Sequence, residues 1–184
     1  MLTQVSIIQR IKNGDRAAFR SFVTDTADKG YFLALKITGD AAEAQDVLQD
    51  AYVKMWEKRG SLHDNKDAYP WLSKVIVNKC YDLLRKTKKM NSVEEYNEQA
   101  LQLESANLSH QLDTMEMAVV IRMLTAGLPP KQKIVFILSE IEGFSNTEIH
   151  DATGISMNSV KTNLMLARKK IQQLVKNYYA EAKS

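Results

Sequence analysis

Residues 145–176 constrain the possible folds of this chain more than any other stretch, because they predict two helices joined by a tight turn. Ser145 and Glu148 have the spacing of a capping box, which favours a helix start directly after Ser145. Gly154 suits the left-handed conformation that ends such a helix, and Ser156 is a good N-cap for a second one. A helix–turn–helix unit places its second helix in the DNA major groove. Taken locally, the stretch indicates either such a unit or a helical hairpin with a solvated basic face.

The second helix of this stretch has one apolar stripe and an otherwise basic surface. The stripe residues recur at helical spacing and are Val160, Leu164, Ala167, Ile171, Leu174 and Val175. The charged residues of the helix include no acid and are Lys161, Arg168, Lys169, Lys170 and Lys176. One side is therefore suited to a protein core and the other to an anionic partner.

The composition favours an all-helical protein. The chain has 184 residues with 7 glycines and 3 prolines, and alternating strand patterns are scarce. Its net charge of +3 is uneven: residues 1–89 carry 16 basic and 11 acidic side chains, residues 90–126 carry 1 and 6, and residues 127–184 carry 8 and 5. Two basic blocks around an acidic segment suit two small helical domains that face nucleic acid, joined by a linker. The expected domain, linker and domain are residues 1–90, 91–113 and 114–184.

Several classes of protein are disfavoured by what the sequence lacks. It starts without a signal-peptide pattern, and no apolar run approaches the roughly 20 residues that span a membrane, so we expect a cytoplasmic protein. Cys80 is the only cysteine. The three histidines, His63, His110 and His150, lack metal-ligand spacing. Without a phosphate loop or a nucleophile–base pair, the sequence predicts no enzyme activity, metal or cofactor.

The first half predicts three helices before a polar loop. Asp15 can cap the second helix, Gly30 is a candidate break within it, and Gly39 with Asp40 ends it. The third helix, within residues 40–60, has an acidic face at three- and four-residue spacing, made of Asp46, Gln49, Asp50 and Val53. Locally this face is either an ordinary solvated surface or a docking surface for a basic partner.

Residues 61–70 form a polar loop that leads into a basic helix beginning near Trp71. Basic residues beside aromatic ones at such a junction fit single-stranded nucleic acid, whose bases stack on rings. We expect Trp71 and Cys80 in the core, and the local pattern leaves Tyr69 and Asn78 open. Later in the chain, a helix after Pro129 is predicted to bury Ile134, Val135, Phe136, Leu138 and Ile141.

Three groups of residues, in this order, resemble a known family. The pattern A-x-D-x-x-Q-(E/D)-x-(F/Y)-x-x-x-W is met by Ala44, Asp46, Gln49, Asp50, Tyr52 and Trp56. The pattern W-L-x-x-x-x-x-N-x-x-x-D-x-x-R is met by Trp71, Leu72, Asn78, Asp82 and Arg85. In the last quarter, the matching residues are Leu128, Pro129, Phe136, Glu148, Ile149, Gly154, Ile155, Ser156, Ser159, Val160 and Lys161. Over nearly all its length, the chain resembles the bacterial RNA polymerase sigma factors of the extracytoplasmic-function (ECF) group of the sigma-70 family.

The resemblance implies an alternative sigma factor that binds core RNA polymerase and directs promoter-specific transcription initiation. The polymerase surface, for the clamp helices of the largest subunit, would be Asp46, Gln49, Asp50 and Val53. The residues for the unwound −10 strand would be Ser61, His63, Asn65, Tyr69, Lys74, Asn78 and Lys79. The residues for the −35 duplex would be Ser156, Asn158, Ser159, Lys161, Thr162, Met165 and Lys169. It further implies a contact with the polymerase β flap, a linker in the RNA-exit path, and an anti-sigma partner.

Three positions depart from the family pattern. The family usually has alanine at the position of His150, where two helices cross closely, and often basic residues at Asn163 and Leu166. Two other functions are weighed against a sigma factor: a helix–turn–helix regulator that is not a polymerase subunit, and an interaction adaptor without a DNA role. The matches within residues 46–56 and 71–85 argue against the regulator, and binding to core polymerase followed by promoter-dependent transcription would separate all three.

Overall fold

The structure is a computed structural model that describes residues 6–62, 67–90 and 108–181, and every regular element in those ranges is helical. This confirms the expected all-α fold class. The helices are α1 (Ile7–Lys12), α2 (Arg16–Thr38), α3 (Ala41–Glu57), α4 (Tyr69–Met90), α5 (Leu108–Thr125), α6 (Pro130–Phe136), α7 (Asn146–Thr153) and α8 (Met157–Glu181). A 3₁₀ turn at Arg59–Ser61 follows α3, and a π-helical turn at Ile137–Ile141 continues α6.

Several helices begin and end at capping residues. The Asp15 carboxylate accepts the amide N–H groups of Ala17 and Ala18 at 2.9 and 3.0 Å, which starts α2. Gly39 ends α2 in the left-handed region with φ 77°, and Asp40 then caps α3 by accepting the Glu43 amide at 2.8 Å. The tight α2–α3 connection makes these two helices neighbours in the bundle.

The first helices pack as a bundle in which α2, α3 and α4 contact one another. The predicted break at Gly30 is wrong, since α2 runs without interruption from Arg16 to Thr38. The glycine is instead a close-packing site. A methyl group at Gly30 would lie 2.7 Å from Cδ1 of Leu48 and 3.3 Å from Cδ1 of Ile76. The missing side chain therefore lets α3 and α4 approach α2.

The later helices form a second group around α6, α7 and α8. Ile134, Ile149 and Val160 are fully buried there. The predicted burial of Ile141 is wrong, because it lies at the end of the π-helical turn and is 36% exposed. The apolar stripe of α8 is buried at Leu164 and Ala167 but exposed further on, at Leu174 and Val175. The C-terminal half of α8 thus extends past the helices that cover its first half.

The two groups of helices are in contact. Helix α4 packs against α6 and α7, and α2 packs against α5. Lys36 on α2 donates to the Glu142 carboxylate at 2.7 Å, across 106 residues of sequence. The Arg122 side chain on α5 lies so close to Gly39 that a methyl group there would be 3.2 Å from it. The buried apolar residues consequently form one cluster that runs through both groups.

Candidate nucleic-acid and partner interfaces

Helix α3 presents the acidic face expected from its spacing. Asp46, Gln49 and Asp50 are exposed, and Val53 is 58% exposed. The opposite side of the helix is buried at Ala44, Val47, Leu48, Ala51 and Met55. An isopropyl group left in water among carboxylates adds no stability to this fold. The face therefore combines acidic and amide side chains with one exposed apolar side chain.

One ion pair joins this face to the neighbouring helix. The Lys79 ammonium on α4 lies 2.6 Å from the Asp50 carboxylate, and their side chains are 34% and 65% exposed. The sequence resemblance assigns Asp50 to the polymerase surface and Lys79 to the −10 strand. The two predicted surfaces therefore lie side by side. A partner that binds one of them changes the electrostatic potential at the other.

The predicted −10 residues are divided between the end of α3 and the start of α4. Ser61 lies in the 3₁₀ turn, where its hydroxyl donates to the Lys58 carbonyl at 2.7 Å. Lys74 and Asn78 are exposed one helical turn apart on α4. His63 and Asn65 lie outside the described residues. Among the described residues, the structure therefore brings Lys74, Asn78 and Lys79 together on one face of α4.

Tyr69 is in a different setting from the open loop that the sequence predicted. It is the first residue of α4 and is partly buried against the core. Asp67 accepts its amide N–H at 3.0 Å, and the Lys29 ammonium lies 3.9 Å from the centre of its ring. Burial and the nearby Glu142 carboxylate raise the pKa of the Tyr69 hydroxyl. Sequence reasoning missed Lys29, because only the packing of α2 on α4 places it over the ring.

The helix–turn–helix is formed by α7 and α8. Ser145 and Glu148 make the predicted capping box, with the Ser145 amide donating to the Glu148 carboxylate at 2.8 Å. That hydrogen bond lowers the pKa of Glu148. Gly154 ends α7 with φ 70°. His150 Nδ1 lies 2.8 Å from the carbonyl oxygen of Ile155, so the imidazole bridges the turn directly before α8.

The first turns of α8 present polar side chains to solvent. The exposed members of the predicted set are Ser156, Asn158, Lys161, Thr162, Met165 and Lys169, with Ser159 partly buried. The family often has a basic residue at the position of Asn163. The Asn163 side-chain amide donates to the Ser159 carbonyl at 2.8 Å, so it is bonded to its own helix. Leu166, the other such position, is 37% exposed. The exposed side of the first turns of α8 is thus mainly polar and basic, with Met165 and Leu166 as its apolar members.

Three further features of the described residues concern metal ligation, the cysteine thiol and membrane insertion. No group of three or more His, Cys, Asp or Glu residues there is arranged to hold a metal ion. Burial raises the pKa of the Cys80 thiol to about 12, which suits the small buried hydrophobe predicted from the sequence. Among the same residues, no helix is long and apolar enough to cross a membrane.

Two protein-family models match the chain. One is described as sigma-70 region 2 and matches residues 22–90, and the other is described as sigma-70, region 4 and matches residues 118–171. The first match contains the acidic face of α3 and the basic face of α4. The second contains α7 and the first turns of α8. The region 2 match thus covers most of the first group of helices, and the region 4 match covers most of the second group.

Curated proteins and solved structures give the same result. The ECF RNA polymerase sigma factor SigW of Bacillus subtilis is 25% identical over 178 residues, covering 92% of this chain and 95% of the relative. The RNA polymerase sigma-H factor of Pseudomonas aeruginosa is 24% identical, covering 99% and 100%. The sigma factor RpoE, solved with the anti-sigma factor NepR from Bartonella quintana, aligns with a TM-score of 0.62 at 20% identity, covering 86% and 96%. That likeness concerns the fold.

Proposed function

This chain belongs to the sigma-70 family of RNA polymerase sigma factors, in its ECF group, and on that premise we propose which of its surfaces carry out promoter recognition. It is an alternative sigma factor, which directs promoter-specific transcription as a regulator and not as a catalyst. Its place of action is the cytoplasm, where polymerase and chromosome meet. The observation that carries the proposal is the region 2 match, because region 2 separates a sigma factor from other helix–turn–helix proteins.

The acidic face of α3 binds core RNA polymerase. Asp46, Gln49 and Asp50 offer acceptors to a basic partner, and Val53 supplies an apolar contact at their edge. We assign the clamp helices of the largest subunit as the partner, and the β flap as the partner of the later helices. Electrostatic complementarity of this kind sets the rate of encounter and the choice of partner more than the affinity.

The basic face of α4 holds the unwound −10 strand. Lys74 and Lys79 face the phosphates, Asn78 lies near the base edges, and Tyr69 offers a ring for stacking. Base flipping out of a duplex costs a few kcal/mol, which stacking and hydrogen bonding in the protein must offset. Ser61, His63 and Asn65 complete the proposed strand path.

The first turns of α8 read the −35 duplex. Lys161 and Lys169 contact phosphates, which positions the helix, while Asn158 and its exposed neighbours reach base edges. The His150 ring holds the turn by its contact with the Ile155 carbonyl, and thereby supports the angle at which α8 leaves the turn. This is a structural use for the position where the family usually has alanine.

The partners are therefore core polymerase, promoter DNA and an anti-sigma factor. RpoE of Bartonella quintana was solved with such a factor, NepR, and we infer a partner of the same kind for this chain. We expect transcription with core polymerase to need no added small molecule or phosphodonor.

Reconstitution tests the proposal against a regulator that is not a polymerase subunit. Core polymerase and genomic DNA from the source organism are incubated with and without the protein, and the 5′ ends of the transcripts are sequenced. We expect new start sites that share upstream elements near −10 and −35. Transcripts that require another sigma factor as well would support the regulator, and the absence of core binding would exclude the sigma function.

A further inference from the structure

His150 is the one side chain of α7 that can carry a positive charge near neutral pH. The helix contains two acids, Glu148 and Asp151, and neither lysine nor arginine. The first helix of a helix–turn–helix unit crosses the DNA phosphate backbone. While its imidazole is neutral, α7 therefore brings only negative side-chain charge to that backbone.

One ring nitrogen of His150 is already bonded within the protein. Nδ1 lies 2.8 Å from the carbonyl oxygen of Ile155. A carbonyl oxygen only accepts, so Nδ1 carries a proton and is the donor. Nε2 is then an acceptor in the neutral ring, and it becomes a donor only when the ring takes up a second proton. Because phosphate oxygens accept, Nε2 can bond to DNA phosphate only in the charged ring.

The ring lies at an open part of the helix–turn–helix. His150 is exposed, and a methyl group on Gly154 would meet no described atom within 4 Å apart from its chain neighbours. The bond to Ile155 places the ring one residue before Ser156, the first residue assigned to the −35 duplex. Ser156 and Asn158 are exposed directly after the turn. A duplex held by the start of α8 is therefore within the surroundings of the ring.

The acids around α7 do not hold the imidazole. Glu148 accepts from the Ser145 amide and hydroxyl at 2.8 and 2.7 Å, and Asp151 lines a cavity with Lys74 of α4. Helix α7 also packs against α8 and the π-helical turn. The charged side chains on those parts are Lys161, Arg168, Glu140 and Glu142, of which Glu140 is paired with Arg168 and Glu142 with Lys36. No ion pair of the described residues includes His150.

We propose that His150 takes up a proton from solvent when α8 binds the −35 duplex, and that Nε2 of the charged ring donates to a backbone phosphate beside the turn between α7 and α8. The proposal rests on the function assigned above to α8. Imidazole side chains change charge between pH 5 and 8, so −35 binding tightens as pH falls through this range. A phosphate contact carries no sequence information, so the effect is the same for every −35 sequence.

Binding at pH 6 and at pH 8 tests the proposal on the complete protein with core polymerase. The probe is a short duplex with the −35 element shared by the promoters that the transcript 5′ ends define, titrated at several salt concentrations. We expect wild type to bind about fivefold more tightly at pH 6, as for one added charge contact at a surface. The salt slope should also be steeper by about 0.9 at pH 6, because one more phosphate is neutralised.

His150→Asn is the matched variant, because its amide nitrogen can donate to the Ile155 carbonyl but takes up no proton. We expect it to bind like wild type at pH 8 and to lack the gain at pH 6. His150→Lys keeps its charge at both pH values and should bind tightly at both. An equal gain at pH 6 in wild type and His150→Asn would overturn the proposal. A loss in His150→Asn of the same size at both pH values would overturn it too, since that describes a role in the turn alone.

A neutral backbone linkage locates the contact. Methylphosphonate replaces one charged phosphate oxygen by a methyl group, and it is placed in turn at each position of the −35 backbone. At one position it should remove the pH dependence of wild type, and the absence of any such position would refute the phosphate contact.

Lys161→Ala separates this inference from the proposed function. If Lys161→Ala binds like wild type at both pH values, the assignment of α8 to the duplex fails. If it weakens binding while wild type and His150→Asn share one pH dependence, α8 keeps its assigned function and only the proton-linked contact is wrong.

Discussion

Charge reversal on α3 tests the proposed polymerase surface. Asp46→Lys and Asp50→Lys change side chains that are exposed in the free protein, so the helix and its buried side stay as they are. Asp50 has one neighbour to lose, Lys79 at 2.6 Å. A surface pair of this kind is worth about 0.2–1 kcal/mol. We therefore expect nearly unchanged helical content, and a small loss of stability in the Asp50 variant only.

The expected effect on binding is much larger than the effect on folding. Two unit charges about 4 Å apart interact by roughly 1 kcal/mol in water and roughly 4 kcal/mol near a protein surface. Reversal replaces an attraction by a repulsion. At an exposed position the interaction is close to the roughly 1 kcal/mol found in water, and reversal changes the binding free energy by about twice that amount. A change of about 2 kcal/mol weakens core binding about 30-fold per substitution.

Equilibrium titration of labelled protein with core polymerase measures this, with circular dichroism on the same samples. Asp25→Lys, at an exposed position of α2, makes the same charge change away from the face and should bind normally. The difference in core affinity between each α3 variant and wild type should become smaller as the salt concentration is raised, because exposed charges are screened. Core affinity within twofold of wild type in both α3 variants would show that the clamp contact lies elsewhere.

Two further predictions concern the DNA surfaces, and a third concerns the capping box of α7. Lys161→Ala should weaken −35 binding on every sequence and flatten the salt slope by about 0.9, whereas Asn158→Ala should change the preference among −35 variants; binding that is unaltered by both would exclude α8 from the groove. Tyr69→Ala should slow opening more than tenfold, since stacking is worth about 1–3 kcal/mol per base, and a template mismatched at −10 should partly restore transcription; a normal rate on closed duplex would contradict the role in opening. Ser145→Ala should lower stability by about 1 kcal/mol. Because the folded pKa of Glu148 is lowered below its ordinary 4.5, the capping-box contribution should be complete above that pH and decline as pH falls further; an identical acid limb in thermal melts of Ser145→Ala and wild type would count against it.

The sequence alone determined where several helices begin and end, and which residues share one face of a helix. Asp15, Asp40 and Ser145 start helices because each bonds an amide two or three residues further on. Gly39 and Gly154 end helices because their backbones take positive φ. These interactions are local, so they can be read from neighbouring residues. The acidic face of α3 and the division of α8 into an apolar stripe and a basic surface follow from the helical period in the same way.

Only the tertiary structure decided what those surfaces contact. Gly30 lies inside a continuous helix, where Leu48 of another helix packs so closely that a methyl group would be 2.7 Å from it. Tyr69 is partly buried against the core with Lys29 over its ring, and Lys36 meets Glu142 across 106 residues. A local pattern says which side of a helix is apolar or charged. Which other helix approaches that side depends on how all the apolar faces are buried together, and that is a property of the whole chain.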